Sequence, residues 1–257
     1  MILKRLRLEA GQQNWFGVGV DLVILILGVF LGIQVNNWNQ DRLDRKVGAD
    51  YRQRIIADAE SNEIDLRNRL TYFRDIKTFA ASALAALDRP VEDNPQAFLT
   101  SAYQASQISP RRIRRFAYDE AVTTGNLIDV GDARIRDQLA NYYIGVETIE
   151  VTLQNVTPYR EQIRAFMPPA AQEAVRTQCP EGLVATKENY VLNTLPVNCV
   201  IKLDKADAIR DAKAVRAIPT LRSDLIRLMA DLDVKITLAE FLNRSGEELR
   251  RQLAAAD

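Results

Sequence analysis

The sequence predicts a mainly α-helical protein, in which one N-terminal transmembrane helix continues into an elongated helical bundle with a small β or irregular insert. An apolar run near the start predicts the membrane helix, and apolar residues at three- and four-residue steps predict long amphipathic helices after it. Glycine and proline are few, at 11 and 9 of 257 residues. The expected divisions are a short cytoplasmic tail (1–14), the transmembrane helix (15–38) and an extracytoplasmic helical domain (39–257).

The composition excludes several classes of protein. The 34 basic and 34 acidic residues balance, so no general attraction to nucleic acid is expected. Histidine is absent, which excludes Ser-His-Asp and Cys-His catalysis and removes the commonest metal ligand. The glycine-rich phosphate-binding motifs and the G-x-S-x-G motif are also missing. We therefore expect no enzymatic activity, no cofactor and no metal.

The apolar run covers residues 15–35, and only Asp21 and Gln34 in it are strongly polar. At about 1.5 Å per residue such a helix is about 31 Å long, close to the roughly 30 Å of a bilayer's hydrocarbon core. The two tryptophans of the chain, Trp15 and Trp38, stand at its ends, where indole rings favour the headgroup level. They are the predicted interface anchors.

The flanks of this run indicate an uncleaved signal anchor, because the run is longer than a signal peptide's and no small-residue cleavage site follows. Three basic residues lie close to each side: Lys4, Arg5 and Arg7 before the run, and Arg42, Arg45 and Lys46 after it. This count does not decide the orientation. The free amino terminus, together with Asp41 and Asp44 on the second side, favours a cytoplasmic N-terminus.

Asp21, Gly28 and Gly32 share one stripe of the predicted membrane helix, at offsets of 7 and 11 residues. A G-x-x-x-G spacing lets two helix backbones approach closely. An ionised aspartate at the bilayer centre costs about 2.5–3.5 kcal/mol, so Asp21 is expected to face a partner helix or to be protonated. The alternative is that Asp21 lies near enough to the interface to reach water.

A long amphipathic helix is predicted from about Asp41 for some 45 residues, as a continuation of the membrane helix or after a break around residues 36–39. Leu43 and Val47 begin its apolar stripe. Breaks in the heptad pattern near Ala59 and Asn62 favour a bundle over a coiled coil.

Shorter helices are predicted along the rest of the chain, from their cap and breaker residues. One begins at Pro95 and runs to about residue 107, and the next spans 116–124 before Gly125. A long helix runs from the cap Asp132 to about Met167 and is kinked or divided at Pro158. A short helix covers 170–177, another follows Asp204 to about Ala217, and the last begins at Pro219.

The densest charge run contains Arg111, Arg112, Arg114 and Arg115. It has two interpretations. One is a patch for an anionic partner, such as lipid headgroups, phosphate or an acidic protein face. The other, which we favour, is a solvated helix start whose arginines pair with nearby acids.

The two cysteines, Cys179 and Cys199, bound an insert (179–201) rich in strand formers and turn residues. If this segment lies outside the cytoplasm, they are expected to form a disulfide. Closing a loop of about 20 residues contributes about 3 kcal/mol. Two unrelated buried thiols are the alternative. A small hairpin is predicted around Val191 to Ile201.

Two segments resemble a family of N-terminally anchored bacterial membrane proteins that carry a domain of unknown function. The first is residues 19–39, an apolar span that an acidic residue opens and that ends in Gln-Val-Asn-Asn-Trp-Asn; the family typically has glutamate in place of Asp21. The second is residues 117–143, with Gly125 and the tyrosine pair Tyr142-Tyr143. The resemblance implies a bacterial membrane anchor and a helical architecture, and it implies no activity. The expected location is the bacterial inner membrane, with a cytoplasmic N-terminus and a periplasmic C-terminal domain.

The leading functional hypothesis is a non-enzymatic single-pass membrane protein, whose extracytoplasmic helices mediate assembly with further copies of itself or with another membrane protein. The alternative is a periplasmic domain that senses a small ligand held between its helices. Because only about 14 residues precede the span, such a sensor is expected to signal through a partner.

Overall fold

The computed structural model of the chain describes residues 15–185 and 191–255, with the side chains of 15–18 excepted. The predicted cytoplasmic tail (1–14) lies outside these residues. The elements in chain order are α1 (Trp15–Ala86), α2 (Pro95–Gln104), α3 (Phe116–Thr123), α4 (Leu127–Val130), α5 (Ala133–Gln154), α6 (Pro158–Phe166), α7 (Pro169–Gln178), β1 (Gly182–Ala185), β2 (Val191–Thr194), α8 (Lys205–Arg216) and α9 (Leu221–Ala254). The predicted mainly α fold, with one long apolar N-terminal helix and a small disulfide-bounded insert, is confirmed.

Helix α1 has 72 residues and is about 108 Å long at 1.5 Å per residue. It runs without interruption from the apolar part into the bundle, so a break around residues 36–39 is wrong. Residues 33–47 contain neither glycine nor proline, and nothing in this stretch ends a helix. The bundle is therefore connected to the apolar part by continuous helix.

Helix α9 packs antiparallel along the polar part of α1, as the order of their ion pairs shows. Arg250 Nε lies 2.8 Å from Glu63 Oε1 near one end, and Arg74 Nη2 lies 2.7 Å from Glu240 Oε1 further along. Helix α5 packs against α9 and completes the bundle beside α1. These helices bury their apolar stripes against one another, which drives the packing.

The buried apolar residues form two clusters along the bundle. The near core, closer to the apolar part of α1, contains Tyr51, Ile55, Leu139, Tyr142, Val146 and Leu242. The far core contains Phe73, Ile76, Phe98, Tyr159, Ile163 and Leu225. Leu43 and Val47, predicted to begin the core stripe, remain 48% and 37% exposed. No described residue of α1 before Gly48 is buried, so these two side chains lie outside the core.

Most predicted helix boundaries agree with the structure. Asp132 accepts a hydrogen bond from the Ile135 backbone N–H at 2.9 Å and caps α5, and Pro158 divides the predicted long helix into α5 and α6. Gly125 follows α3 with a φ of 78°, a conformation that glycine adopts readily. The arginine run does not start a helix as predicted, because residues 107–115 form an irregular segment that leads to α3.

The insert is a two-stranded antiparallel sheet, in register from Gly182 opposite Thr194 to Ala185 opposite Val191. The predicted disulfide between Cys179 and Cys199 is present, with 5.7 Å between the Cα atoms. The hairpin lies upstream of the predicted position, because Pro196 has no N–H to donate to a strand ladder.

Candidate functional site

The apolar part of α1 is a candidate membrane span. An 18-residue window after Gly19 has a mean hydropathy of 2.0, and none of its residues is buried. Among the described residues it is the single helical stretch that is long and apolar enough to cross a membrane. Trp38 stands at its far end with 62% of its surface exposed. The side chain of Trp15, the other predicted anchor, lies outside the described ones.

The contact stripe, which consists of Asp21, Gly28 and Gly32 and is predicted to face a partner helix, is exposed in the structure. A Cβ atom added at Gly28 or at Gly32 would meet nothing within 4 Å. At about 100° per residue, Gly28 and Gly32 lie about 20° to either side of the direction of Asp21. The three residues therefore share one exposed face of α1, and the two glycines leave a shallow groove in it.

This stripe lies on the side of α1 opposite the bundle. Gly48, the first buried residue among the described side chains of α1, comes 16 residues after Gly32, which is a rotation of about 160°. Asn39 and Lys46 continue the stripe beyond the apolar part, and both are exposed. A second helix laid along this stripe would not meet the bundle of the same chain.

The arginine run lies across α1 in the segment between α2 and α3. Its members are Arg111, Arg112, Arg114 and Arg115. Arg111 Nη2 pairs with Asp65 Oδ1 at 3.1 Å, and Arg115 Nε pairs with Asp119 Oδ2 at 2.8 Å. The other two side chains are exposed. Because Arg111 and Arg115 pair with acids, the run is not a single continuous cationic patch.

Arg69, which the sequence did not single out, is fully buried and positions this segment. Its guanidinium pairs with Asp65 and donates hydrogen bonds to the carbonyl oxygens of Ser109, at 3.2 Å, and Arg111, at 2.5 Å. A buried charge needs such partners, because its desolvation is otherwise very costly. Its place on the core side of α1 is the one sequence signal that could have identified it.

Two asparagines of α1 bind distant backbone in the same way. Asn62 donates to the Arg114 carbonyl and accepts from the Arg114 N–H, both at 2.8 Å. Asn68 donates to the Asn193 carbonyl at 2.9 Å and accepts from the Asn193 N–H at 3.0 Å. The first pair holds the arginine segment on α1, and the second holds strand β2.

The tyrosine pair Tyr142-Tyr143 belongs to the near core. Tyr143 stacks on Tyr118 with ring centroids 4.0 Å apart and meets Tyr142 edge-on at 5.0 Å. Burial raises the pKa of Tyr142 to about 12, and it raises the pKa of Tyr143 well above the ordinary value. Both phenols stay neutral near pH 7, and the pair contributes packing.

A cleft opens between the arginine segment and the end of α5. It encloses about 270 Å³ and is lined by Ile108, Ser109, Pro110, Arg111, Arg112, Glu150, Leu153, Gln154 and Val156. A second cavity of about 40 Å³ shares part of this lining and reaches Asp231 and Lys235. Within residues 15–185 and 191–255, no three His, Cys, Asp or Glu side chains are grouped so that they could hold a metal ion.

No protein-family profile, curated protein or solved structure matches this chain. The resemblance to the anchored bacterial family stays a prediction. The stripe of α1 and the cleft are two candidate functional features of the described residues.

Proposed function

We propose that this protein is a non-enzymatic, single-pass inner-membrane protein whose extracytoplasmic helical domain mediates protein assembly, and that its membrane helix supplies the contact that orders this assembly. The observation that carries the proposal is the position of Asp21, Gly28 and Gly32. All three are exposed on one face of α1, and that face points away from the bundle.

The energetics of the span support a helix partner. A carboxylate within the hydrocarbon is costly unless it has a polar neighbour, and the two glycines let a second backbone come close enough to supply one. A second copy of α1 meets these requirements, since its own stripe presents the same residues. We therefore expect a homo-oligomer in the first place, and a complex with another membrane protein in the second.

The disulfide supports the proposed location. Cys179 and Cys199 are bonded, and disulfides persist in oxidising compartments such as the bacterial periplasm. In this topology the N-terminus is cytoplasmic and the bundle is periplasmic. The continuous α1 then transmits the geometry of a membrane contact directly to the bundle.

The test is to purify the tagged full-length protein in mild detergent, measure its mass by light scattering, and identify any companion by mass spectrometry. We expect a complex larger than one chain, and we expect Asp21→Leu and Gly28→Leu to dissociate it. Gly19→Leu is the matched control, because Gly19 lies about 160° from Asp21 around the helix.

A stoichiometric membrane-protein companion that is lost in Asp21→Leu supports assembly with another protein. A wild-type protein that purifies alone as a monomer would overturn the proposal. A complex whose mass is unchanged by Asp21→Leu would overturn the role of that carboxylate.

Ligand sensing is the second candidate function, and the cleft beside Ser109 favours it. In that case the bundle holds a small molecule, and α1 passes the signal to a membrane partner.

A further inference from the structure

One lateral face of α1 carries cations at the point where the helix leaves its apolar part. Arg42 and Arg45 follow Trp38 by four and seven residues, so at about 100° per residue both lie within about 40° of it around the helix. All three side chains are exposed. Leu27 and Leu31 continue the same face into the apolar part, where they are 53% and 59% exposed. These five residues form the Trp38 face.

The fold makes no use of the two arginines of this face. Within the described part of the chain, neither side chain has a hydrogen bond or an ion pair. The acids of this stretch, Asp41 and Asp44, lie about 60° and about 120° from Trp38 around the helix. Asp44 accepts a hydrogen bond from Gln40 Nε2 at 2.8 Å. Because like charges three residues apart on a helix repel each other, two neighbouring cations without partners favour an external anion.

The level of the two arginines matches that of lipid headgroups. At about 1.5 Å per residue, Arg42 lies about 6 Å and Arg45 about 10.5 Å beyond Trp38, the predicted interface anchor. Helical side chains lean toward the N-terminus of their helix, and on α1 this direction leads back to the bilayer. Arginine also extends its charged end to the interface while its apolar stem stays against the helix. Both guanidinium groups therefore point toward the phosphates of the leaflet on the bundle side.

The arginine run of residues 111–115 is too far from the bilayer to do the same. Asn62 binds both backbone groups of Arg114 at 2.8 Å. It lies 24 residues beyond Trp38, which is about 36 Å along α1. The headgroup region is only about 5–8 Å thick on each side of the hydrocarbon. The pair on the Trp38 face, and not this run, is placed to meet the lipids of the same membrane.

We propose that the Trp38 face binds one anionic phospholipid. Its phosphate accepts hydrogen bonds from Arg42 and Arg45, and one acyl chain lies along the two leucines. Trp38 lies about 100° from Asp21 around α1, so the lipid and a helix on the contact stripe occupy different faces. The inference rests on the proposed membrane span, and it does not depend on the proposed assembly.

The test is the quenching of Trp38 fluorescence by lipids that carry bromine near the top of an acyl chain. The full-length Trp15→Phe variant, in which Trp38 is the sole tryptophan, is reconstituted into phosphatidylcholine vesicles. Brominated phosphatidylglycerol is compared with brominated phosphatidylcholine over the same range of mole fractions. We expect phosphatidylglycerol to reach half-maximal quenching at about a tenfold lower mole fraction, because it adds a charge for the two arginines.

Two double variants in the same background locate the site. Arg42→Gln combined with Arg45→Gln should remove the preference for phosphatidylglycerol, because glutamine is a comparable helix former and carries no charge. Arg112→Gln combined with Arg114→Gln is the matched control. It removes the same charge from the run attached about 36 Å away along α1, and it should leave the preference unchanged.

Equal quenching by the two lipids would overturn this inference alone. It would also be overturned by a preference that survives in Arg42→Gln with Arg45→Gln, or by one that the control variant loses. No quenching by either lipid would overturn the proposed span together with this inference. A protein that prefers phosphatidylglycerol but purifies as a monomer would overturn the assembly proposal alone.

Discussion

The side chain of Asn62 replaces a backbone partner for Arg114, 52 residues away: it binds both the N–H and the carbonyl oxygen of that residue at 2.8 Å. Asn62 is 1% exposed and also donates to Tyr142 Oη at 3.3 Å. The irregular segment before α3 is thereby attached to the middle of α1.

Asn62→Ala should lower the free energy of unfolding by about 2 kcal/mol, because it removes two buried hydrogen bonds to the backbone of Arg114. Hydrogen exchange should also become faster in residues 109–115 than in the helices. Asn141→Ala, at an exposed position of α5, is the matched control and should have little effect. Unchanged exchange in 109–115 would show that the attachment does not depend on Asn62.

Gly48→Ala should destabilise the protein by about 2 kcal/mol, even though alanine is the better helix former by about 1 kcal/mol. A Cβ at Gly48 would lie 1.9 Å from the Asp129 carbonyl oxygen, so α4 has to move away. Thermal unfolding in detergent measures the loss.

Gly145→Ala is the control for this change, because its Cβ would meet only the flexible Leu242 Cδ1, at 3.1 Å. We expect no loss of stability there. Equal melting temperatures for the two variants would contradict the close approach of α4 to α1.

Cys199→Ser should cost about 3 kcal/mol of stability, as expected for opening a loop closed over a separation of 20 residues. Cys199 is the better position to change, because Cys179 is 1% exposed and a serine there would bury a hydroxyl. On a non-reducing gel the wild type should shift on reduction and the variant should not. Identical mobility of the wild type with and without reductant would contradict the bond in the cell.

Tyr142 should titrate near pH 12, since burial is the main cause of its raised pKa. The folded pKa exceeds the unfolded value of about 10, so the contribution of Tyr142 to stability is complete below pH 10. It falls by about 2.7 kcal/mol as the pH rises from 10 to 12.

The difference in phenolate absorbance between the wild type and Tyr142→Phe measures this titration directly. The variant should also lose less stability than the wild type between pH 10 and 12. A difference signal with its midpoint near pH 10 would mean that the phenol is exposed to water.

The local features of this fold could be predicted from the sequence, because each depends on the chemistry of one or two neighbouring residues. Asp132 and Asp204 cap the helices that follow them, Pro158 divides a helix, and Gly125 ends one. The apolar length of the candidate span depends on composition alone.

Only the tertiary structure determines which residues contact or hydrogen-bond one another across the bundle. Whether Leu43 lies in the core depends on which element reaches that level of α1, and its own periodicity does not contain this information. The pairing of Asn68 with Asn193 spans 125 residues, and the hydrogen bond from Arg69 to the Ser109 carbonyl spans 40. Hydrogen bonds depend on distances of a few tenths of an ångström, which only the packed chain determines.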